Sequence, residues 1–146
     1  MPDWLGERTT LLFLHVGSAI LFLGSATVAT SLFPRYAQSG DVAVGRVLHR
    51  VSDLYGLLSI LVAVFGVVLA ARYDLFSQLW VSASLVLFIV AGVLLAAVII
   101  PGQRRVLTAM EAGPVDRAAI VPLRATAGAF ALAWIVILFL MVAKPN

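Results

Sequence analysis

Four long apolar runs dominate this sequence and confine its charged residues to short segments between them. The runs cover residues 11–33, 54–71, 79–100 and 125–142, and a helix needs roughly 20 apolar residues (range about 17–25) to cross the hydrocarbon core. Because lipid offers an open sheet edge no hydrogen-bond partner, the runs must be helices. The sequence therefore predicts an all-α integral membrane four-helix bundle, a single domain over residues 1–146.

Composition agrees with this class. The chain is 62% hydrophobic and 12% charged, with a mean hydropathy of +1.08, whereas soluble domains are about 45–50% apolar and about 25% charged. The absence of cysteine excludes disulfides, c-type haem attachment and thiolate-held iron–sulfur clusters. No nucleic-acid-binding signature occurs, so the lipid bilayer is the expected partner.

Turn-forming and capping residues divide the runs. Pro34 is expected to end the first run and Pro101-Gly102 the third. Asp41 can cap a helix that leads into the second run, and Asp116 a helix that leads into the fourth. The stretch "QRRVLTAMEA" can extend the third helix. Only "RYDLFSQ" separates the second and third runs, which predicts a tight antiparallel hairpin.

The basic residues predict an orientation. The segments after the first and third runs hold seven: Arg35, Arg46, Arg50, Arg104, Arg105, Arg117 and Arg124. The opposite side holds three: Arg8, Arg72 and Lys144. The positive-inside rule then predicts a multi-pass protein of the inner (plasma) membrane with both termini outside. The first ten residues contain two acidic residues, which favours a permanent first helix over a cleaved signal peptide.

His15, in "LLFLHVGSAILFLG", is an ionisable residue inside the first run. Such a residue is a candidate functional site. One interpretation is a neutral histidine bonded to a neighbouring helix. The other is a cofactor ligand for b-type haem, a metal ligand or a proton-relay member. His49 is expected at the opposite membrane face, which excludes one haem held by both histidines.

A polar helical face precedes the second run. Arg46, His49, Arg50 and Asp53 fall at i, i+3, i+4 and i+7, and Asp53 can pair with His49 or Arg50. Three further arginines are expected nearby from the other loop: Arg104, Arg105 and Arg124. The face is either an interfacial charge network or a site that handles a lipid headgroup, another anion or a proton.

Small residues repeat in the first run. Gly17-Ser18 recurs as Gly24-Ser25 seven residues later, on nearly the same helical face. Small residues let helices approach closely in lipid. The repeat predicts helix packing, either within the bundle or in a dimer.

The order of these features resembles the DUF2269 family of small integral membrane proteins. The motifs that carry the resemblance are "LLFLHVGSAILFLG", "LFPRY", "LHR" and "PGQRR". In outline the chain is also similar to CopD-type membrane domains and to bacterial membrane-bound protoporphyrinogen oxidases. The similarity to the oxidases implies a haem-binding four-helix bundle with His15 as a ligand, and the CopD-type outline implies copper or b-type haem. The oxidases also use a lysine in the membrane core, whereas the only lysine here, Lys144, follows the last run.

Three functions remain open from the sequence. The first is a small accessory or interaction protein that acts in a homo-oligomer or with other membrane subunits. The second is a redox or haem-handling protein with His15 as an axial ligand to b-type haem. The third is a small transporter or lipid- or anion-binding protein that uses the Arg46, Arg50 and Asp53 face. Neither a catalytic residue nor a metal cluster is predicted, and the sequence leaves open whether the protein is an enzyme.

Overall fold

Four long helices make up the chain. The computed structural model describes residues 6–145 and contains α1 (Glu7–Gln38), α2 (Val42–Arg72), α3 (Leu79–Ala112) and α4 (Arg117–Ala143). Each helix is long and apolar enough to cross a membrane, and no strand occurs between residues 6 and 145. The prediction of an all-α four-helix membrane bundle is confirmed. Residues 1–5, part of the segment that bears on the signal peptide, lie outside the described residues.

The helices are longer than the apolar runs because polar residues cap them further out. Asp41 Oδ1 accepts a hydrogen bond of 3.0 Å from the backbone N–H of Val44. Asp116 Oδ1 accepts one of 3.2 Å from that of Ala118. Both acidic caps satisfy backbone donors that a helix start leaves unpaired, as the sequence predicts.

Gly40, rather than Pro34, ends α1. The helix runs through Pro34 to Gln38, so the expected end at Pro34 is wrong. Gly40 adopts a left-handed φ of 75°, and its N–H donates to the carbonyl of Ala37 (3.2 Å) while that of Asp41 donates to Tyr36 (3.1 Å). This pair of bonds is the Schellman motif, which closes a helix end at a glycine.

Pro101 also lies within a continuous helix, so the predicted break is wrong, whereas the predicted extension of the third helix by "QRRVLTAMEA" is correct. Proline lacks an N–H and its ring clashes with the carbonyl four residues earlier. A π-helical turn over Leu94–Ile99 directly precedes Pro101. The backbone hydrogen bonds of such a turn span five residues instead of four, and α3 continues beyond Pro101 to Ala112.

The helices pack most closely at one end. We call the end with residues 39–41 and 113–116 the loop end, and the end with residues 73–78 and Lys144 the terminal end. Near the loop end α1 packs on α2 and α4, and α3 packs on α2 and α4. Toward the terminal end the described contacts are mainly those of α1 with α2 and of α3 with α4, so the bundle separates into two pairs.

Two apolar clusters reflect this packing. The loop-end cluster contains Phe33, Ala37, Val106, Leu107, Met110, Ile120 and Leu123. The second, between α3 and α4, contains Ala91, Leu95, Ile99, Ile100 and Phe130. Much of the loop-end cluster comes from residues beyond the apolar runs, so the helical extensions build this part of the core.

Polar contacts follow the same division. At the loop end, Arg46 pairs with Glu111 at 2.6 Å and joins α2 to α3. At the terminal end, Glu7 pairs with Arg72 within the α1–α2 pair, and its hydrogen bond and charge raise the pKa of Arg72. Lys144 lies 5.8 Å from the centre of the Trp80 ring, within the α3–α4 pair. At the loop end, an ion pair therefore connects the α1–α2 pair of helices to the α3–α4 pair.

Candidate functional site

His15 binds the neighbouring helix through one ring nitrogen. It is buried in α1, and its Nδ1 lies 2.8 Å from the carbonyl oxygen of Val62 in α2. A carbonyl only accepts hydrogen bonds, so Nδ1 carries the proton and the neutral ring keeps a lone pair on Nε2. The hydrogen bond to another helix agrees with the first interpretation of His15, and a cofactor at Nε2 stays a prediction.

Gly66 makes room for this imidazole. A Cβ atom at Gly66 would lie 2.8 Å from His15 Cε1 and 3.1 Å from Nδ1. Contacts this short leave no space for a side chain, so glycine lets α2 approach the ring. Nothing in the sequence marks Gly66 as a close contact, because the role of this glycine depends on which residue of another helix faces it.

His49 belongs to a buried hydrogen-bonded network between α2 and α3. Its Nδ1 lies 3.0 Å from Gln103 Oε1, and Gln103 Nε2 donates to Ser52 Oγ at 3.2 Å. The Ser52 hydroxyl donates in turn to the carbonyl of Leu48 at 2.9 Å. Gln103 and Ser52 are among the most deeply buried side chains. Neither residue is predicted from the sequence as part of a site, although the amide of Gln103, directly after Pro101-Gly102, is a signal that could have found it.

His49 in α2 and His15 in α1 lie far apart along the length of the bundle. His15 contacts Val62, which is 13 residues after His49, a rise of roughly 20 Å at 1.5 Å per residue. Two axial ligands must both lie about 2 Å from one iron. The geometry therefore agrees with the expectation that His15 and His49 cannot hold a single haem together.

The predicted polar face is divided among several partners. Arg46 binds Glu111, as above, and Arg124 Nη2 donates to Gln38 Oε1 at 3.1 Å. The pairing of Asp53 with His49 or Arg50 is not among the ion pairs found for residues 6–145. The helical face is present, but its members do not converge on a single site.

Arg50, Arg104 and Arg105 are exposed, as is Asp53. Of these, Arg104 and Asp53 line the same cleft, whereas Arg105 Nε donates at 3.4 Å to Pro101 in its own helix. Of the charged residues predicted for this face, the structure therefore places one acidic and one basic residue in the same cleft.

This cleft lies between α2 and α3 and has a volume of about 570 Å³. Along α3 its lining extends from Phe88 to Arg104, 16 residues or roughly 24 Å. The lining is mostly apolar and includes Leu57, Ile60, Ile89, Gly92, Val93, Leu95 and Ala96. Its charged residues, Asp53 and Arg104, both lie toward the loop end. The cleft is therefore amphipathic along its length.

One buried side-chain donor in α3 and one in α4 have no hydrogen-bond partner among the described residues. The Nε1 of Trp134 and the Oγ of Ser84 are the buried side-chain polar atoms without a hydrogen bond among residues 6–145. Trp134 lines the cleft with Phe88, and their rings meet edge to face at 5.5 Å. An unmade buried hydrogen bond costs about 1–3 kcal/mol. Trp134 lies within the fourth apolar run, and nothing in the sequence marks its N–H as unpaired.

In the small-residue repeat, the two glycines make no close contacts, whereas the two serines form hydrogen bonds within their own helix. Gly17 and Gly24 have open space where a Cβ would lie, and Gly24 is exposed, so these glycines do not bring helices of this chain together. Ser18 Oγ donates to the carbonyl of His15 at 3.0 Å, and Ser25 Oγ to that of Leu21 at 2.6 Å. Gly24 and Ser25 instead line a shallow outer groove.

No group of three or more histidine or acidic residues among residues 6–145 can hold a metal ion. Comparison with known proteins gives a family model that matches residues 9–145, described as a predicted integral membrane protein family, DUF2269. The chain therefore belongs to the DUF2269 family. No curated protein and no solved structure shows significant similarity to it.

Proposed function

We propose that this DUF2269 protein is a small accessory membrane protein that binds a lipid-like amphiphile in the cleft between α2 and α3. The observation that carries the proposal is the amphipathic lining, which is apolar from Phe88 to Pro101, roughly 20 Å of α3, and carries Asp53 and Arg104 toward one end. Ligand sites typically combine apolar walls with a few polar groups that fix orientation.

The packing of the helices supports access from the lipid. The loop-end segments of α2 and α3 are held by the His49–Gln103–Ser52 network and by the Arg46–Glu111 pair. Farther from the loop end the two helices make few contacts until the turn that joins them. An acyl chain can enter between them from the bilayer, while the charged head stays near Asp53 and Arg104.

Gly92 offers a direct test of the cleft. It lines the cleft, and a Cβ there meets open space, so Gly92→Leu should fill the cleft without forcing the backbone to move. Gly128, which is also exposed with open space around it, gives the matched control Gly128→Leu.

The measurement is native mass spectrometry of the detergent-purified protein, followed by lipid extraction. We expect the wild type and Gly128→Leu to retain a bound amphiphile and Gly92→Leu to lose it. Equal retention by all three proteins would reject the cleft as the binding site. The same samples report whether the protein is a homo-oligomer or carries other membrane subunits.

A second candidate function is b-type haem binding at His15, and one observation favours it. Histidines that bind metals usually donate their other ring N–H to a carbonyl or carboxylate, and His15 Nδ1 makes such a bond to Val62. Nε2 would be one axial ligand, and His49 cannot supply the other. Bound haem would add electron-transfer chemistry to the protein.

Visible absorption spectra of protein from haem-sufficient cells, oxidised and then reduced, test this function. A stoichiometric Soret band that His15→Ala removes and His49→Ala retains is the expected result. A spectrum without a Soret band in protein that retains its oligomeric state would reject haem binding and leave His15 with a structural role.

A further inference from the structure

We infer that the amphiphile in the α2–α3 cleft is a zwitterionic phospholipid whose primary ammonium binds Asp53 and whose phosphate binds Arg104. The inference rests on the proposed function and narrows the class of ligand. It starts from two exposed side chains of opposite charge that line the same cleft from different helices, Asp53 from α2 and Arg104 from α3. A head with a single charge would meet one attractive and one repulsive group there.

Asp53 and Arg104 lie at nearly the same level of the bundle. Asp53 follows Ser52, Arg104 follows Gln103, and Gln103 Nε2 donates to Ser52 Oγ at 3.2 Å. This hydrogen bond places the two charged residues within about one helical turn, roughly 5 Å, of each other along the bundle. One lipid head can therefore contact both side chains.

The other polar side chains of the lining are not accessible to a head. Ser52 and Ser59 are buried, and their hydroxyls already donate to backbone carbonyls of α2. The N–H of Trp134 is buried as well. Asp53 and Arg104, in contrast, are exposed, and neither forms an ion pair within residues 6–145. These two side chains therefore define which head the cleft accepts.

Their chemistry requires a head with both charges. An ionised carboxylate only accepts hydrogen bonds, and a guanidinium only donates them. A ligand that satisfies both must bring a positively charged N–H donor and a negatively charged oxygen acceptor, as phosphoethanolamine does. Hydrogen bonds between charged groups are also stronger than those between neutral groups.

A quaternary ammonium head does not match this end of the cleft. Such a head has no N–H donor and is typically recognised by the open faces of aromatic rings. The aromatic residues of the lining are Phe88, Phe130 and Trp134, and they pack on one another. Phe88 precedes Arg104 by 16 residues, and Phe130 is buried. A primary ammonium is therefore the cation that Asp53 is suited to bind.

The test compares three dioleoyl phospholipids that differ only in the head: phosphatidylethanolamine, phosphatidylcholine and phosphatidylglycerol. Titration of the delipidated protein in detergent with each lipid, followed by native mass spectrometry, gives the affinities. The wild type should bind the ethanolamine lipid about fivefold more tightly than either of the others, because only this head satisfies both side chains. An ethanolamine lipid that binds no more tightly than either of the others would overturn the inference.

Two variants assign this preference to the two side chains. Asp53→Asn should weaken binding of the ethanolamine lipid about tenfold, while the glycerol lipid binds at least as tightly as to the wild type because a repulsive charge is removed. Arg104→Gln should weaken both lipids about tenfold. Asp74→Asn, at the terminal end, and Arg105→Gln, outside the cleft lining, are the matched charge controls. Equal changes in variants and controls would attribute the preference to net charge and contradict the inference.

The inference and the proposed function fail in different ways. If Gly92→Leu abolishes binding of all three lipids while the wild type binds them equally, the cleft binds amphiphiles but does not select their heads. If no lipid binds the wild type and no amphiphile copurifies, both proposals fall.

Discussion

His49 in α2 and Gln103 in α3 form a hydrogen bond in which His49 is the donor and Gln103 the acceptor. Gln103 donates its amide N–H to Ser52, so its oxygen accepts from His49 Nδ1 at 3.0 Å. That arrangement fixes the proton on Nδ1 and leaves the lone pair on Nε2. One buried glutamine thus sets the tautomer of a histidine on another helix.

Replacing Gln103 with leucine should destabilise the protein by about 1–3 kcal/mol, because His49 and Ser52 then lose their buried partner. Thermal unfolding in detergent measures the change. Thr108→Val is the control on the same helix, since Thr108 is exposed and, among residues 6–145, its hydroxyl bonds only to the carbonyl of Arg104 in α3. A stability loss equal in the two variants would contradict a special role for the network.

Gly66→Ala should lower stability, whereas Gly17→Ala should not. A Cβ at position 66 would lie 2.8 Å from His15 Cε1, and such overpacking typically costs about 1–3 kcal/mol. At Gly17 the space is open, so alanine brings only its helix preference of roughly 0.5–1 kcal/mol over glycine.

The unfolding midpoints of Gly66→Ala and Gly17→Ala measure this difference in stability. The double variant His15→Ala/Gly66→Ala tests whether the contact with His15 causes it. The double variant should be no less stable than His15→Ala alone, because the clash is then absent. A Gly66→Ala protein as stable as Gly17→Ala would show that α2 can move away from His15 at no cost.

The sequence predicts the helices well and their contacts poorly, for a physical reason. Length and hydropathy determine which segments can cross a membrane, and Asp41 and Asp116 cap helices through residues close in sequence. These features can therefore be predicted without knowing which helices are neighbours. The ends at Pro34 and Pro101 were wrong because a Schellman turn and a π-helical turn decide them. Gln103, Gly66 and Trp134 acquire their roles only from residues on other helices, which periodicity cannot identify.

Neutralising the charges near the loop end of the cleft should weaken retention of a charged amphiphile. Arg104→Gln should reduce it about tenfold if the head is anionic, because a charge-assisted hydrogen bond contributes about 1.5–3 kcal/mol. Asp53→Asn should do the same if the head is cationic, and a zwitterionic head should respond to both. Arg105→Gln, exposed but outside the cleft lining, is the control, and lipid retained per protein by mass spectrometry is the measurement. Equal retention in all three variants would contradict a charged head at this end.

Gly24→Leu should disrupt a homo-oligomer if a second copy packs against the outer groove. Gly24 is exposed and shares this groove with Ile20, Val28 and Leu48, and small residues allow close approach of helices in lipid. Light scattering of the protein–detergent complex gives the number of chains, with Gly128→Leu as the matched control on α4. An unchanged number of chains in Gly24→Leu would move the interface elsewhere.

The predicted orientation is testable because the chain contains no cysteine. Single cysteines in place of Ser39, at the loop end, and Ser77, at the terminal end, report the two sides separately. With seven basic residues on the loop side and three on the other, the positive-inside rule predicts that a membrane-impermeant maleimide labels the cysteine at 77 in intact spheroplasts. The cysteine at 39 should react only after the membrane is permeabilised. The opposite pattern would put Asp53 and Arg104 on the outer side, where an amphiphile would enter the cleft from the outer leaflet.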